Sequence, residues 1–382
     1  MPGKNVVIVG GGFGGVAAAR TLRPLLDAQH TVTLIDRLRR TYLCGSMPRL
    51  IVGEREPEKV SRSLGSLIQR GIKYVQAEVE GIDTADRRVW TTAGNLSYDY
   101  LVLAPGAEYD WGAVPGSTAA YSFYNLDTAR RLRDALRRFR GGRIVIAVSR
   151  LPYKCPPAPY EAAMLIDALL RERGLRKGSE IHVFTPEPMP LGVAGPEASG
   201  QLLATLGKRG ITVHRGQTIS RIDPDGRQAL FQSGESIEYD LMVTVPVHRS
   251  PEMVREAGLT NESGWIPVDP ATLATGRDGI YAIGDVTIIR MANGNPLPKA
   301  GVFAAAEGEV VARNLAAEIQ GGEKARFAGE GYCFIDHGRE KAALVRGVFL
   351  ASDRPQVTLV PPSVRWYRGK LRFEADWRRF KI

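Results

Sequence analysis

Short apolar runs of strand length alternate with amphipathic stretches through most of this chain. Asn5-Val6-Val7-Ile8-Val9 has the pattern of a buried strand, and after a glycine-rich turn residues 16–22 resume with helical spacing. Residues 31–35 form a second such strand that ends on Asp36. Tyr100-Leu101-Val102-Leu103, residues 142–148 and residues 280–283 repeat the strand pattern. Residues 162–170 and the stretch after 298–301 are helical. Continuous apolar strands separated by helices predict an α/β fold. No apolar run reaches the roughly 18 residues of a membrane-spanning helix. The end of the chain differs. Trp366, Lys370, Phe373, Trp377 and Phe380 recur at steps of three or four, with Arg365, Arg368, Arg372 and Arg379 between them. That spacing predicts an aromatic and basic amphipathic helix, weakened by Gly369, which suits either a membrane interface or a packed core surface.

The length of 382 residues corresponds to two or three domains at about 150 residues each. Apolar residues at 44% and charged residues at 24% exclude disorder and fibrous classes. Cys44, Cys155 and Cys333 are far apart and form no CxxC pair, and the five histidines form no HExxH, so no metal site is expected. The net charge is +10. Residues 365–382 hold seven Lys/Arg against two Asp/Glu, so half of that charge belongs to the tail. No recognition motif accompanies it, which argues against nucleic acid. A lone Lys4 precedes an apolar run that contains the glycine turn, unlike a signal peptide. The expected location is cytoplasmic or peripheral to a membrane, or periplasmic if a signal was removed.

The chemistry begins at Gly10-Gly11-Gly12-Phe13-Gly14-Gly15, a G-x-G-x-x-G in strand–turn–helix context. Gly10 permits the turn, Gly12 lets backbone approach a pyrophosphate, and Gly15 lets helix and strand pack closely. Asp36, followed by Arg37, can accept hydrogen bonds from a ribose. A second apolar strand runs into Gly284-Asp285. With these motifs in this order the chain resembles the two-dinucleotide-domain flavin oxidoreductases. In that family the second Asp accepts from a ribityl hydroxyl, Ala104-Pro105-Gly106 matches the crossover segment, and Val79 sits where backbone holds adenine. The resemblance implies FAD.

That family repeats the nucleotide fold mid-chain for NAD(P)H. Here strand 142–148 is followed by Ser149-Arg150-Leu151-Pro152-Tyr153-Lys154-Cys155-Pro156-Pro157, with no glycine and with prolines where phosphate-binding N–H groups are needed. The second domain is expected to keep its fold and lose its nucleotide. Lys154-Cys155-Pro156-Pro157-Ala158-Pro159-Tyr160-Glu161 is similar to the redox-cysteine segment of two groups. These are the flavoprotein subunit of flavocytochrome c sulfide dehydrogenase and sulfide:quinone oxidoreductase. Residues 257–269 and Pro296-Leu297-Pro298-Lys299-Ala300-Gly301 favour the first group.

The resemblance implies a redox disulfide between Cys155 and Cys333, attacked by sulfide. It places Lys299 at the edge of the flavin and makes Cys44 a candidate thioether tether to FAD. Glu161 is a candidate acid/base, or otherwise a solvated glutamate on a helix N-terminus; each cysteine is otherwise a plain thiol. The expected electron acceptor is a c-type cytochrome or a membrane quinone. An NADH:quinone reductase and a non-enzymatic flavin–disulfide sensor are the alternatives. The expected architecture is two Rossmann-like domains, the second degenerate, plus a C-terminal interface domain. The expected boundaries are 1–110 with 250–320 for FAD, 111–249 for the degenerate domain and 321–382 for the C-terminal domain.

Overall fold

The computed structural model describes residues 2–381 and has the expected α/β architecture. Strand β1 (Asn5–Val9) leads through the glycine turn into helix α1 (Phe13–Leu22) and strand β2 (Thr31–Asp36). β1 pairs in parallel with β2 and, on its other side, with a later strand that brings Leu103 beside Val9. A strand buried on both faces must be apolar on both, which is why residues 6–9 do not alternate. β3 (Lys73–Gln76) extends the sheet beyond β2, and β4 (Tyr100–Leu103) is the partner on the other side of β1.

The chain then builds a second parallel sheet. β5 (Gly142–Val148) is followed by helix α2 (Ala158–Glu172), β6 (Ser179–Thr185), β7 (Ile211–Arg215) and β8 (Leu241–Val245), in spatial order β7-β6-β5-β8. The second nucleotide-type unit therefore keeps its strand–helix–strand frame without the glycines. β9 (Ile280–Ala282) returns to the first sheet beside β4, giving the order β9-β4-β1-β2-β3. Helix α3 (Gly301–Gln320) packs against α1, and a Cβ at Gly308 would run into the Gly14 carbonyl, so the two helices meet backbone to backbone. The last unit is an antiparallel meander, β10 (Glu330–Asp336), β11 (Ala342–Val348) and β12 (Gln356–Ser363), closed by helix α4 (Val364–Arg378).

Helix α4 takes up the packed-surface alternative for its aromatic stripe. Its stripe faces inward: Lys370, Trp377 and Phe380 are buried, and Trp366 and Phe373 are half-buried. Phe13 stacks on Phe373 with ring centres 6.2 Å apart and meets Trp377 at 6.1 Å. The Arg62 guanidinium lies over Trp377 and Phe380, and it donates to the Trp377 carbonyl. These contacts hold the stripe against the core of the protein. Arg365, Arg368, Arg372 and Arg379 point outward. Gly369 also acquires a reason, since a Cβ there would press on the Phe334 ring at 3.0 Å. Among the described residues no helix is long and apolar enough to cross a membrane.

Candidate active site

A cavity of about 700 Å³ runs between the two parallel sheets and the C-terminal meander. One end is the first glycine turn. Gly10 has φ +103°, and a Cβ there would strike the Ala104 carbonyl. A Cβ on Gly15 would strike the Gly10 carbonyl, so Gly15 serves packing and does not line the cavity. Gly12 is the N-cap of α1, extended and without a side-chain cap, which leaves the first N–H groups of the helix for an anion. Nothing occupies the space beside it.

Asp36 Oδ2 accepts from Gly11 N at 2.6 Å and Oδ1 accepts from Leu38 N at 2.7 Å. Burial pushes its carboxyl upward even though these N–H groups oppose the shift. Phe13, Gly14, Arg37, Ala104, Pro105 and Gly106 all line the cavity, as do Gly284 and Asp285 across from them. Val79 does not line it; its strand pairs with Thr91 in a flanking antiparallel ribbon. Glu307, which the sequence reading missed, is buried on α3 and accepts from Gly284 N. Burial pushes its carboxyl up to about 7. The cavity can therefore take an anionic linker at the glycine turn and a long polar chain beside Asp285.

At the other end the fold unites two cysteines from distant segments. Cys155 stands just before α2 in the left-handed region at φ +56°, a conformation that costs a non-glycine residue on the order of 1–3 kcal/mol. It is held there from both sides: Cys155 N donates to the Lys299 carbonyl at 2.8 Å, and the Cys155 carbonyl accepts from Ala158 N at 2.8 Å. Cys333 comes from β10, opposite Val345. The two thiols stand close enough to interact and are unbridged, Cys333 Sγ donating to the Phe334 carbonyl at 3.6 Å, and both line the cavity. The contact with Cys333, reinforced by burial, pushes the Cys155 thiol well up, and Lys370 pulls it down.

Behind the thiols lies a buried charge cluster whose pairing no local motif announces. Glu161 is 2% exposed and Lys370 4%, and they form a direct ion pair across 209 positions of sequence. Lys370 Nζ is also 3.6 Å from Asp336 Oδ2, and Arg49 Nε is 3.5 Å from the same oxygen. Burial pulls the Lys370 ammonium down, but Glu161 and Asp336 outweigh that and leave it raised. Burial holds the Glu161 carboxyl up at about 7. Glu161 is thus not a solvated glutamate, and it titrates near neutrality beside the thiol pair.

Lys299 lines the cavity beside Asp285. Its ammonium donates to the carbonyls of Asp285 at 2.7 Å and Thr287 at 2.9 Å and sits 3.5 Å from the Trp265 ring centre. Burial lowers it to about 8. Lys299 therefore ties the Gly284–Val286 turn with its side chain and the Cys155 loop with its backbone. Cys44 lines the cavity at a short turn, with Lys154 Nζ 3.7 Å from its sulfur and 4.8 Å from the Tyr109 ring centre. Burial pulls the Lys154 ammonium down, and Cys44 and Tyr109 more than reverse this. Among the described residues no group of three His, Cys, Asp or Glu side chains converges to hold a metal ion.

Known proteins share this frame. The family model described as "Pyridine nucleotide-disulphide oxidoreductase" matches residues 4–147 and 161–308. A second, "Sulfide dehydrogenase [flavocytochrome c] flavoprotein chain, central", matches residues 129–191. The mitochondrial sulfide:quinone oxidoreductase of Mus musculus is 24% identical over 81% of this chain and 70% of its own length. The sulfide-quinone reductase of Aquifex aeolicus is 27% identical over 95% of this chain and 85% of its own. The crystal structure of the sulfide:quinone oxidoreductase from Aquifex aeolicus superposes with a TM-score of 0.89 at 25% identity, covering 98% of this chain and 92% of that one. Such proteins carry FAD, and the capless helix N-terminus, the open space at Gly12 and the Asp36 carboxylate fit it. This oxidoreductase therefore belongs to the pyridine nucleotide-disulphide oxidoreductase family of two-dinucleotide-domain flavoproteins.

Proposed function

We propose that the protein oxidises sulfide to sulfane sulfur through Cys155 and Cys333 and delivers the electrons by way of FAD to a quinone. The observation that carries this reading is the thiol pair, which sits at the end of the cavity where a second nucleotide loop would otherwise stand. Its relatives' names supply the substrate and the acceptor. In the oxidised protein hydrosulfide attacks one sulfur of the Cys155–Cys333 disulfide. The S–S bond breaks, a persulfide S–S bond forms, and the other cysteine leaves as a thiolate. Removal of two electrons and one proton then closes the cysteines again through the inserted sulfur. FAD supplies the two-electron acceptor. The inserted sulfur departs with the next hydrosulfide, and the disulfide is restored.

Glu161 takes the proton at its carboxylate, poised by burial at about 7. Lys370, beside both Glu161 and Cys155, supports the thiolate. Lys299 acts by fixing the Asp285 turn and the Cys155 loop. In this reading residues 1–110 and 250–320 hold FAD, 111–249 contribute Cys155, and 321–382 contribute Cys333.

Anaerobic sulfide should bleach the flavin of the holoprotein, and NADH should not. A soluble quinone should restore the colour faster than cytochrome c. A flavin that sulfide leaves yellow removes the proposal, and faster recovery with cytochrome c replaces the acceptor. Steady turnover with sulfide excludes a sensor that only switches. Cys44, held by Lys154, is the group for a covalent flavin link. Acid precipitation should leave flavin on the protein, and free flavin in the supernatant would show that Cys44 stays an unmodified thiol.

A further inference from the structure

The second strand–helix–strand unit invites comparison with the first. In the first, β1, α1 and β2 end at Asp36, whose carboxylate faces the cavity. In the second, β5, α2 and β6 end at Thr185, and Glu187 follows two residues later at the same carboxyl edge of the sheet. A nucleotide bound to such a unit lies across the crevice outside the carboxyl ends of the strands, with its ribose on that acid.

In this chain the crevice is filled from within. Tyr153, from the loop after β5, has its hydroxyl between two acceptors, Glu187 Oε2 at 2.9 Å and the Pro156 carbonyl at 3.0 Å. Tyr160, in the first turn of α2, donates to the same oxygen at 2.6 Å. Thr185 Oγ1 adds a third contact at 3.1 Å. The two rings are 4% and 0% exposed, and neither lines the large cavity. Burial and the Glu187 charge push both phenols well up, so they remain protonated donors.

We propose that Tyr153 and Tyr160 are specificity-determining residues that close the second dinucleotide site, their hydroxyls taking on Glu187 the places of a ribose diol. The proposal rests on the reading above and deepens it, because it gives a reason why the flavin of this chain would take electrons from sulfide and not, as in NADH-dependent relatives, from a nicotinamide nucleotide. Two donors of one side chain each hold the carboxylate without any ligand. The ring of Tyr160 also stands on the turn of α2 that would face a pyrophosphate. The proline-rich loop removes the phosphate cradle, and the tyrosines remove the ribose subsite. These are separate locks, so releasing one changes binding without creating hydride transfer.

The test uses FAD-loaded protein and NADH fluorescence as the probe of binding. Wild type should leave NADH fluorescence unchanged. Tyr153→Ser should allow weak binding. Tyr153→Ser with Tyr160→Ala should tighten it by about tenfold or more, the scale at which an opened polar subsite changes affinity. Adding Glu187→Ala should abolish it. Binding of NADH by wild type would overturn the proposal. So would the absence of binding in Tyr153→Ser, which spares the core position of Tyr160, provided the variant keeps its flavin. Sulfide bleaching, measured on the same samples, separates the two readings: if it fails in wild type while the variants gain NADH, the proposed function falls and the occupied subsite stands.

Discussion

Cys155→Ser and Cys333→Ser should each slow sulfide-driven flavin reduction by about 10³-fold or more, the scale on which members of a catalytic unit fail together. The two losses should be nearly equal, and the double variant should be little worse than either. A single remaining thiol offers hydrosulfide no S–S bond to open, and hence no leaving thiolate. Serine keeps the size of the side chain and removes only the sulfur, so flavin content and absorbance should be preserved. Anaerobic stopped-flow spectroscopy of the flavin band reads the rate. A serine variant within tenfold of wild type would show that sulfide reaches the flavin without the pair. Glu161→Gln provides the contrast. The disulfide still opens, but the ratio of wild-type to variant rate should change through pH 7, where burial has placed the Glu161 carboxyl. Taking the ratio cancels the titration of sulfide itself, and a flat ratio would deny Glu161 a part in proton transfer.

Lys370→Met should destabilise the protein by about 3–5 kcal/mol, the usual consequence of removing one member of a buried charge cluster. Lys370 is the contact of Glu161 and lies 3.6 Å from Asp336, and all three are almost fully buried. Without the ammonium, two carboxylates face each other, with Arg49 3.5 Å from Asp336. The effect has a direction in pH. The Glu161 carboxyl already stands above its ordinary value of 4.5, and losing Lys370 raises it further. A raised carboxyl contributes its stability when protonated and loses it as pH rises through the folded-state value. The destabilisation of Lys370→Met should therefore grow as pH passes upward through 7 and shrink below it. Urea unfolding on both sides of that pH measures it. A penalty independent of pH would mean that the pair is not what α4 contributes to the core.

The first nucleotide unit and the missing glycine cradle of the second were legible from sequence because their causes are local. Gly10 must adopt φ +103°, and Gly15 must leave room for the Gly10 carbonyl; only glycine meets either demand, so the motif announces itself. Asp36 follows its strand directly, and the prolines after β5 delete donors wherever the loop lies. The cysteine pairing of 155 with 333 came from resemblance, and the fold brings the two thiols into contact.

The tail shows what such reasoning misses. The period of three to four in residues 366–380 determines that a helix has one apolar side, and cannot determine what covers that side. Phe13 and Arg62 cover it, and the lysine in its middle meets Glu161 from 209 positions away. Lys299 and Glu187 repeat the lesson, since each has a side chain whose partners lie on other segments. The sequence by itself determined the backbone-encoded features, namely the strand and helix order, the glycine turn and the absent second cradle. These depend on steric rules for neighbouring residues. Only the tertiary structure decided which buried charges meet, because burial raises the free energy of every unpaired ion and so selects partners by distance in space and not along the chain.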